Sequence, residues 1–133
     1  MHADKIAIAQ ACLDAAHHDT MSFPQIVGRL TAEDFEGYAI DFRTRTATYY
    51  GANGASAALP FPDPGAPVAA AFDAAIIKQA IGEAQRQVPG YSYRGFCKKV
   101  AAAGCAGYQV SFTGRRALYY GRTAETHVEH FPD

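Results

Sequence analysis

At 133 residues, 49% hydrophobic and 19% charged, the chain suits one globular domain that buries a core without metal or disulfide staples. Its net charge of -1 excludes a non-specific nucleic-acid binder, which needs an excess of Lys and Arg, and equally a patch for anionic membranes. The odd cysteine count (Cys12, Cys97 and Cys105, with no Cys-x-x-Cys) argues against a disulfide framework and for buried, inert thiols.

The opening stretch MHADKIAIAQ has no basic segment leading into a long apolar run, so a cytoplasmic protein without a signal peptide is expected. No run is long enough for a membrane span. The first element is a helix capped by Asp4. The second is a helix opened by a capping box, Ser22-x-x-Gln25, with Pro24 tolerated in its first turn. Phe23, Ile26, Val27 and Leu30 recur at helical spacing, and Asp34 suits the left-handed residue that ends it. Two strands follow in GYAIDFRTRTATYYG, with Phe42 facing Arg45, Ile40 facing Ala47 and Tyr38 facing Tyr49. Asn53-Gly54 is a hairpin signal that would bring Ala55–Leu59 back along Thr48–Ala52 as a third strand. Pro60, Pro62, Pro64 and Pro67 then mark residues 60–68 as an extended connector.

The second half repeats this order. Asp73 caps a third helix, Ser92 a fourth, and Gly104 ends it. Thr113-Gly114 suits a two-residue turn between strands that set Phe112 against Arg115, Val110 against Ala117 and Tyr108 against Tyr119. The repetition extends to residue identity. Seventy positions separate Ser22 from Ser92, Gly37 from Gly107, Tyr38 from Tyr108, Phe42 from Phe112, Tyr49 from Tyr119, Gly51 from Gly121, Phe61 from Phe131 and Asp63 from Asp133. Upstream, DKIAIAQACLDA aligns with DAAIIKQAIGEA at a shift one residue shorter, a change a loop absorbs. The chain therefore reads as a single domain over residues 1–133, with repeat one at 4–63 and repeat two at 73–133.

The expected fold class is α+β: an internal duplication of a helix-helix-strand-strand-strand unit, with antiparallel sheet covered by helices on one face and a pseudo-two-fold relating the halves. The sheet face kept alike in both halves is the core face. The opposite face differs, carrying Ala39, Asp41, Thr46 and Thr48 in one half and Gln109, Ser111, Arg116 and Leu118 in the other.

The motifs MSFPQIVGRL, GYAIDFRTRTATYYG, AAGCAGY and TGRRALYYGRTAETHVEHFP resemble the YbcV-like family of small uncharacterised bacterial proteins, catalogued as domain of unknown function 1398. Some relatives carry the loose label phage envelope protein. The resemblance spans nearly the whole chain and implies no catalytic residue.

The strongest candidate for chemistry is the unlike face of the second half. With the third strand paired so that Tyr120 meets His127 and Leu118 meets Glu129, the residues Arg116, Tyr120, His127 and Glu129 form one polar patch. Arg can grip a carboxylate or phosphate, while His and Glu can move protons. A solvated surface is the plainer reading. Arg45 and Arg115 recur opposite Phe42 and Phe112; they either pack on those rings or grip an anion in a cleft across the pseudo-axis. Tyr50 and Tyr120 point outward, stacking on a ligand or partner or covering Gly37 and Gly107. No zinc spacing, phosphate loop, dinucleotide fingerprint or nucleophile elbow occurs, so no metal and no cofactor is expected. The resulting expectation is a binding or interaction module without evident catalysis, its partners a second copy of the chain or a small anionic ligand. The alternative is a small-molecule or metal-dependent enzyme built on the second-half patch.

Overall fold

A computed structural model describes residues 1–132 and follows the expected element order. Helices α1 (Ala3–His17) and α2 (Phe23–Ala32) precede strands β1 (Phe35–Asp41), β2 (Thr46–Gly51) and β3 (Ser56–Pro60). After the connector come α3 (Ala74–Arg86), α4 (Tyr93–Ala102), β4 (Cys105–Ser111), β5 (Arg116–Gly121) and β6 (Thr126–His130). The match of Asp63 to Asp133 and the end of the second repeat lie outside the described residues.

Local chemistry sets the helix starts. The Ser22 and Gln25 side chains satisfy each other's backbone N–H groups at the head of α2, at 3.4 and 2.8 Å. Asp73 accepts from the Ile76 N–H and Ser92 from the Gly95 N–H. Asp4 is a correction: α1 begins two residues earlier than an Asp4 cap implies, after His2, so Asp4 sits inside the first turn, where its charge suits the helix dipole. Both left-handed stops occur as expected, at Asp34 (φ 64) and Gly104 (φ 94).

All six strands join one antiparallel sheet in the order β3-β2-β1-β4-β5-β6. The centre is the β1–β4 pair, where Tyr38 meets Val110, Ala39 meets Gln109 and Ile40 meets Tyr108. Beyond its ends Phe42 N–H donates to the Ala106 carbonyl, and Phe112 N–H to the Glu36 carbonyl. The helices cover one face. On it Tyr38, Ile40, Phe42, Ala47 and Tyr49, with Tyr108, Val110, Ala117 and Tyr119, are buried in one cluster with Leu30, Ile77 and Val100 of the helices. Phe112 packs half-buried against the same cluster. The other face is open, with Tyr50, Gln109, Arg116 and Val128 exposed.

The inner hairpins keep the expected pairs, Ile40 with Ala47 and Val110 with Ala117. Their turns are not the two-residue primed type. Arg45 and Arg115, at φ 54 and 51, take the left-handed position, while Gly114 does not. The outer strands correct the expected register. Tyr120 pairs with Thr126 and Tyr119 with His127, and in the first half Tyr50 pairs with Ser56. The cause is a third turn residue: Gly54 (φ 90) and Ala124 (φ 68) close the turns, and Gly51 N–H meets the Ala55 carbonyl. One extra residue slides the strand by one and exchanges its faces.

The connector lies along α4, where Ala69 N–H donates to the Ala101 carbonyl and Asp73 N–H to the Ala103 carbonyl. It carries Phe61 into the core beside His17, whose ring stands edge-on to both Phe61 and Tyr93. His17 Nδ1–H donates to the Leu13 carbonyl at 3.0 Å. Burial lowers the His17 pKa below 6.5, with Arg94 and His18 adding to the effect and the Leu13 bond and Asp14 opposing it. Below that value the unfolded chain takes up a proton that the folded chain resists. The His17 contribution is therefore complete above pH 6.5 and is lost as pH falls. Urea unfolding at stepped pH between 7 and 5 is expected to show a loss of stability that is smaller in His17→Leu than in wild type.

Candidate functional site

The face that carries the core also carries tyrosine where a core could have used phenylalanine or leucine. Tyr49, Tyr38, Tyr108 and Tyr119 stand in a row across β2, β1, β4 and β5. Tyr38 stacks on Tyr49 with centroids 5.4 Å apart, and Tyr108 on Tyr119 at 5.1 Å. The inner pair meets edge to face at 6.3 Å.

Above this row the helices do not close. A cavity of about 570 Å³ lies between sheet and helices, floored by the four tyrosines and walled by α1 (Cys12, Leu13) and α3 (Ile81, Ala84). Both halves of the chain contribute. Its mouth lies by Phe23 at the start of α2 and Phe131 after β6, whose rings meet edge-on at 5.5 Å. The matching corner of the other half is filled, since Tyr93 and Phe61 close on the buried His17. Tyr93 also differs from Phe23 in having a hydroxyl, which bonds to that of Tyr108.

Burial pushes the Tyr38, Tyr49, Tyr108 and Tyr119 hydroxyls well above their ordinary pKa, so all four stay neutral O–H groups near neutral pH. Tyr49 and Tyr119, 3% and 7% exposed, have no hydrogen-bond partner for their hydroxyls among the described residues. No fully enclosed side-chain polar atom among those residues is left unpaired, so these two hydroxyls face the cavity. Cys12 is also held protonated by burial; Cys97 and Cys105, pushed up to about 12 and about 11, lie deeper in the core. None of the three thiols is a ready nucleophile.

The expected second-half patch does not assemble. Arg116 and Tyr120 lie on the open face, whereas the shifted register turns His127 and Glu129 to the helix-covered face. There His127 Nε2 is 3.0 Å from Glu129, and Glu129 reaches the cavity mouth beside Gln85, 3.4 Å away. Arg45 and Arg115 do not share a cleft: the antiparallel β1–β4 pair sends their turns to opposite ends of the sheet. Arg45 pairs with Asp63 at 3.1 Å, while Arg115 lies over Phe131, not Phe112, and donates to the Pro132 carbonyl. Tyr120 lies over Gly107, and Tyr50 is exposed opposite Gly37. The His/Cys/Asp/Glu side chains form no metal-holding group of three among the described residues.

Sequence reading placed the tyrosine row beneath the helices and stopped there. The missed signal was the hydroxyl itself, since a buried tyrosine needs a partner or internal space, and four on one core face demand several. A family model described as "Protein of unknown function (DUF1398)" matches residues 12–129. No curated protein matches the chain.

Proposed function

Since the chain belongs to the DUF1398 family, we propose its role from its own geometry: a small-molecule binding module made by internal duplication, with its ligand site between the two halves. The duplication is supported at the centre of the sheet, where Ala39 pairs with Gln109, its own equivalent seventy positions on. That pair supports a pseudo-two-fold axis through the β1–β4 junction. The palindromic strand order, the paired left-handed residues Arg45 and Arg115, and the matched outer turns fit the same axis. Three free buried thiols suit a reducing cytoplasm. The exposed Tyr50 and the half-exposed Tyr120 remain the places where a second copy would dock.

One observation carries the binding reading. A two-layer fold of this size normally fills the space between sheet and helices. This one keeps a largely apolar cavity within the roughly 300–1,000 Å³ range of small-molecule pockets.

Titration with N-phenyl-1-naphthylamine, a neutral dye that brightens in apolar surroundings, is expected to show saturable one-to-one binding. Ala84→Trp, which fills the cavity from α3, weakens it by about tenfold or more, a loss of about 1.4 kcal/mol. Tyr50→Ala, on the open face, leaves it unchanged. Absent saturation, or binding indifferent to Ala84→Trp in a folded variant, sinks the reading.

A further inference from the structure

The charges around the cavity and its two free hydroxyls narrow the ligand class, an inference that rests on the binding reading above. No lysine or arginine lines the cavity among the described residues, and its histidine, His130, is exposed at the edge, so no permanent cation there would neutralise an anion. The small anionic ligand expected from the sequence has no lysine or arginine to meet it in this cavity among the described residues. The carboxylates at its edge are Asp19 and Glu129, and both are engaged. Asp19 accepts from the Tyr93 N–H at 3.0 Å, and Glu129 is held by His127 and Gln85. Asp19 is exposed to water and Glu129 already faces His127, so neither places a bare charge at the floor.

Of the floor hydroxyls, Tyr108 bonds to Tyr93 and Tyr38 turns to Tyr108; Tyr49 and Tyr119 are left, equivalent positions at either end of the tyrosine row. Each offers an O–H that faces the cavity and has no protein acceptor among the described residues. A phenol, whose oxygen lone pair is drawn into its ring, donates better than it accepts. A cavity-facing hydroxyl that no protein acceptor reaches is free to pair with one that a ligand supplies.

We infer that the cavity takes a neutral, largely apolar molecule carrying a carbonyl-type acceptor, which pairs with the Tyr49 hydroxyl at one end of the floor or the Tyr119 hydroxyl at the other, while Phe23 and Phe131 flank its outer end. Its apolar body meets Leu13 and Ile81, and its oxygen meets the floor.

Four probes of one shape separate the possibilities: 2-acetylnaphthalene, 2-ethylnaphthalene, 2-naphthoate and 2-naphthylmethylammonium, each displacing N-phenyl-1-naphthylamine from the full chain. The ketone is expected to bind about tenfold tighter than the hydrocarbon, about the worth of one hydrogen bond, and both ions more weakly than either. Tyr49→Phe with Tyr119→Phe should bring the ketone-to-hydrocarbon ratio close to one while leaving hydrocarbon affinity intact. Removing two unpaired hydroxyls costs the fold little, so this double variant remains folded and readable. A hydrocarbon that binds as tightly as the ketone, an ion that binds tightest, or a ratio unmoved in the double variant overturns the ligand class while the cavity reading stands. Failure of the dye and all four probes to bind takes the cavity reading with it.

Discussion

Gly107→Ala is expected to cost about 3 kcal/mol or more, enough to remove much of the stability of an ordinary domain. A Cβ there would lie 2.3 Å from the Ile40 carbonyl oxygen and 2.4 Å from the Tyr120 hydroxyl. The tyrosine can swing away; the carbonyl cannot, because it belongs to β1 at its contact with β4, the seam between the halves. Relief therefore means parting the central strands. Gly37→Ala meets the Val110 carbonyl at the same 2.3 Å and should behave alike. The control is Gly28→Ala, in α2 with open space around it, expected to stabilise by roughly 0.5–1 kcal/mol through helix propensity. Urea midpoints of the three variants test this. Gly107→Ala within 1 kcal/mol of wild type would show that the β1–β4 seam is not built as described.

Tyr108→Ala should be comparably damaging, at about 3–5 kcal/mol, the range for deleting a buried aromatic ring. Its ring touches both halves, stacking on Tyr119 and meeting Tyr38, Phe42 and Phe96, and its hydroxyl bonds to Tyr93. Tyr108→Phe keeps the ring and loses only that bond, an expected cost of about 1 kcal/mol. The difference between the two, read as melting temperature at roughly 4 °C per kcal/mol, separates ring packing from hydroxyl pairing. Equal losses would mean that the hydroxyl network, not the aromatic row, holds the halves together.

Much of this was legible because it is local. Ser22, Gln25, Asp73 and Ser92 sit within three residues of the amides they cap, so their roles follow from spacing alone. The alternation of Tyr38, Ile40 and Phe42 shows which side of a strand is apolar, and all three are buried. The outer strands failed by one residue for an equally local reason. Asn53-Gly54 announces a turn but not its length, and the third turn residue moved His127 and Glu129 to the opposite face from Arg116 and Tyr120. The expected patch dissolved on that single step.

Residue order alone determined the helices, the inner strand pairs, the buried face and the likeness of the two halves, because each depends on periodicity or on neighbours a few positions away. Tertiary structure decided how the halves meet, through β1 and β4 in one continuous sheet, and that the helices stand off the tyrosine row on one side. The space beneath them depends on how residues distant in the chain fill it. His17, brought beside Phe61 and Tyr93, plugs one corner, while Phe23 and Phe131 leave the other open. No spacing in the chain encodes that difference, since it is a sum of side-chain volumes meeting in three dimensions.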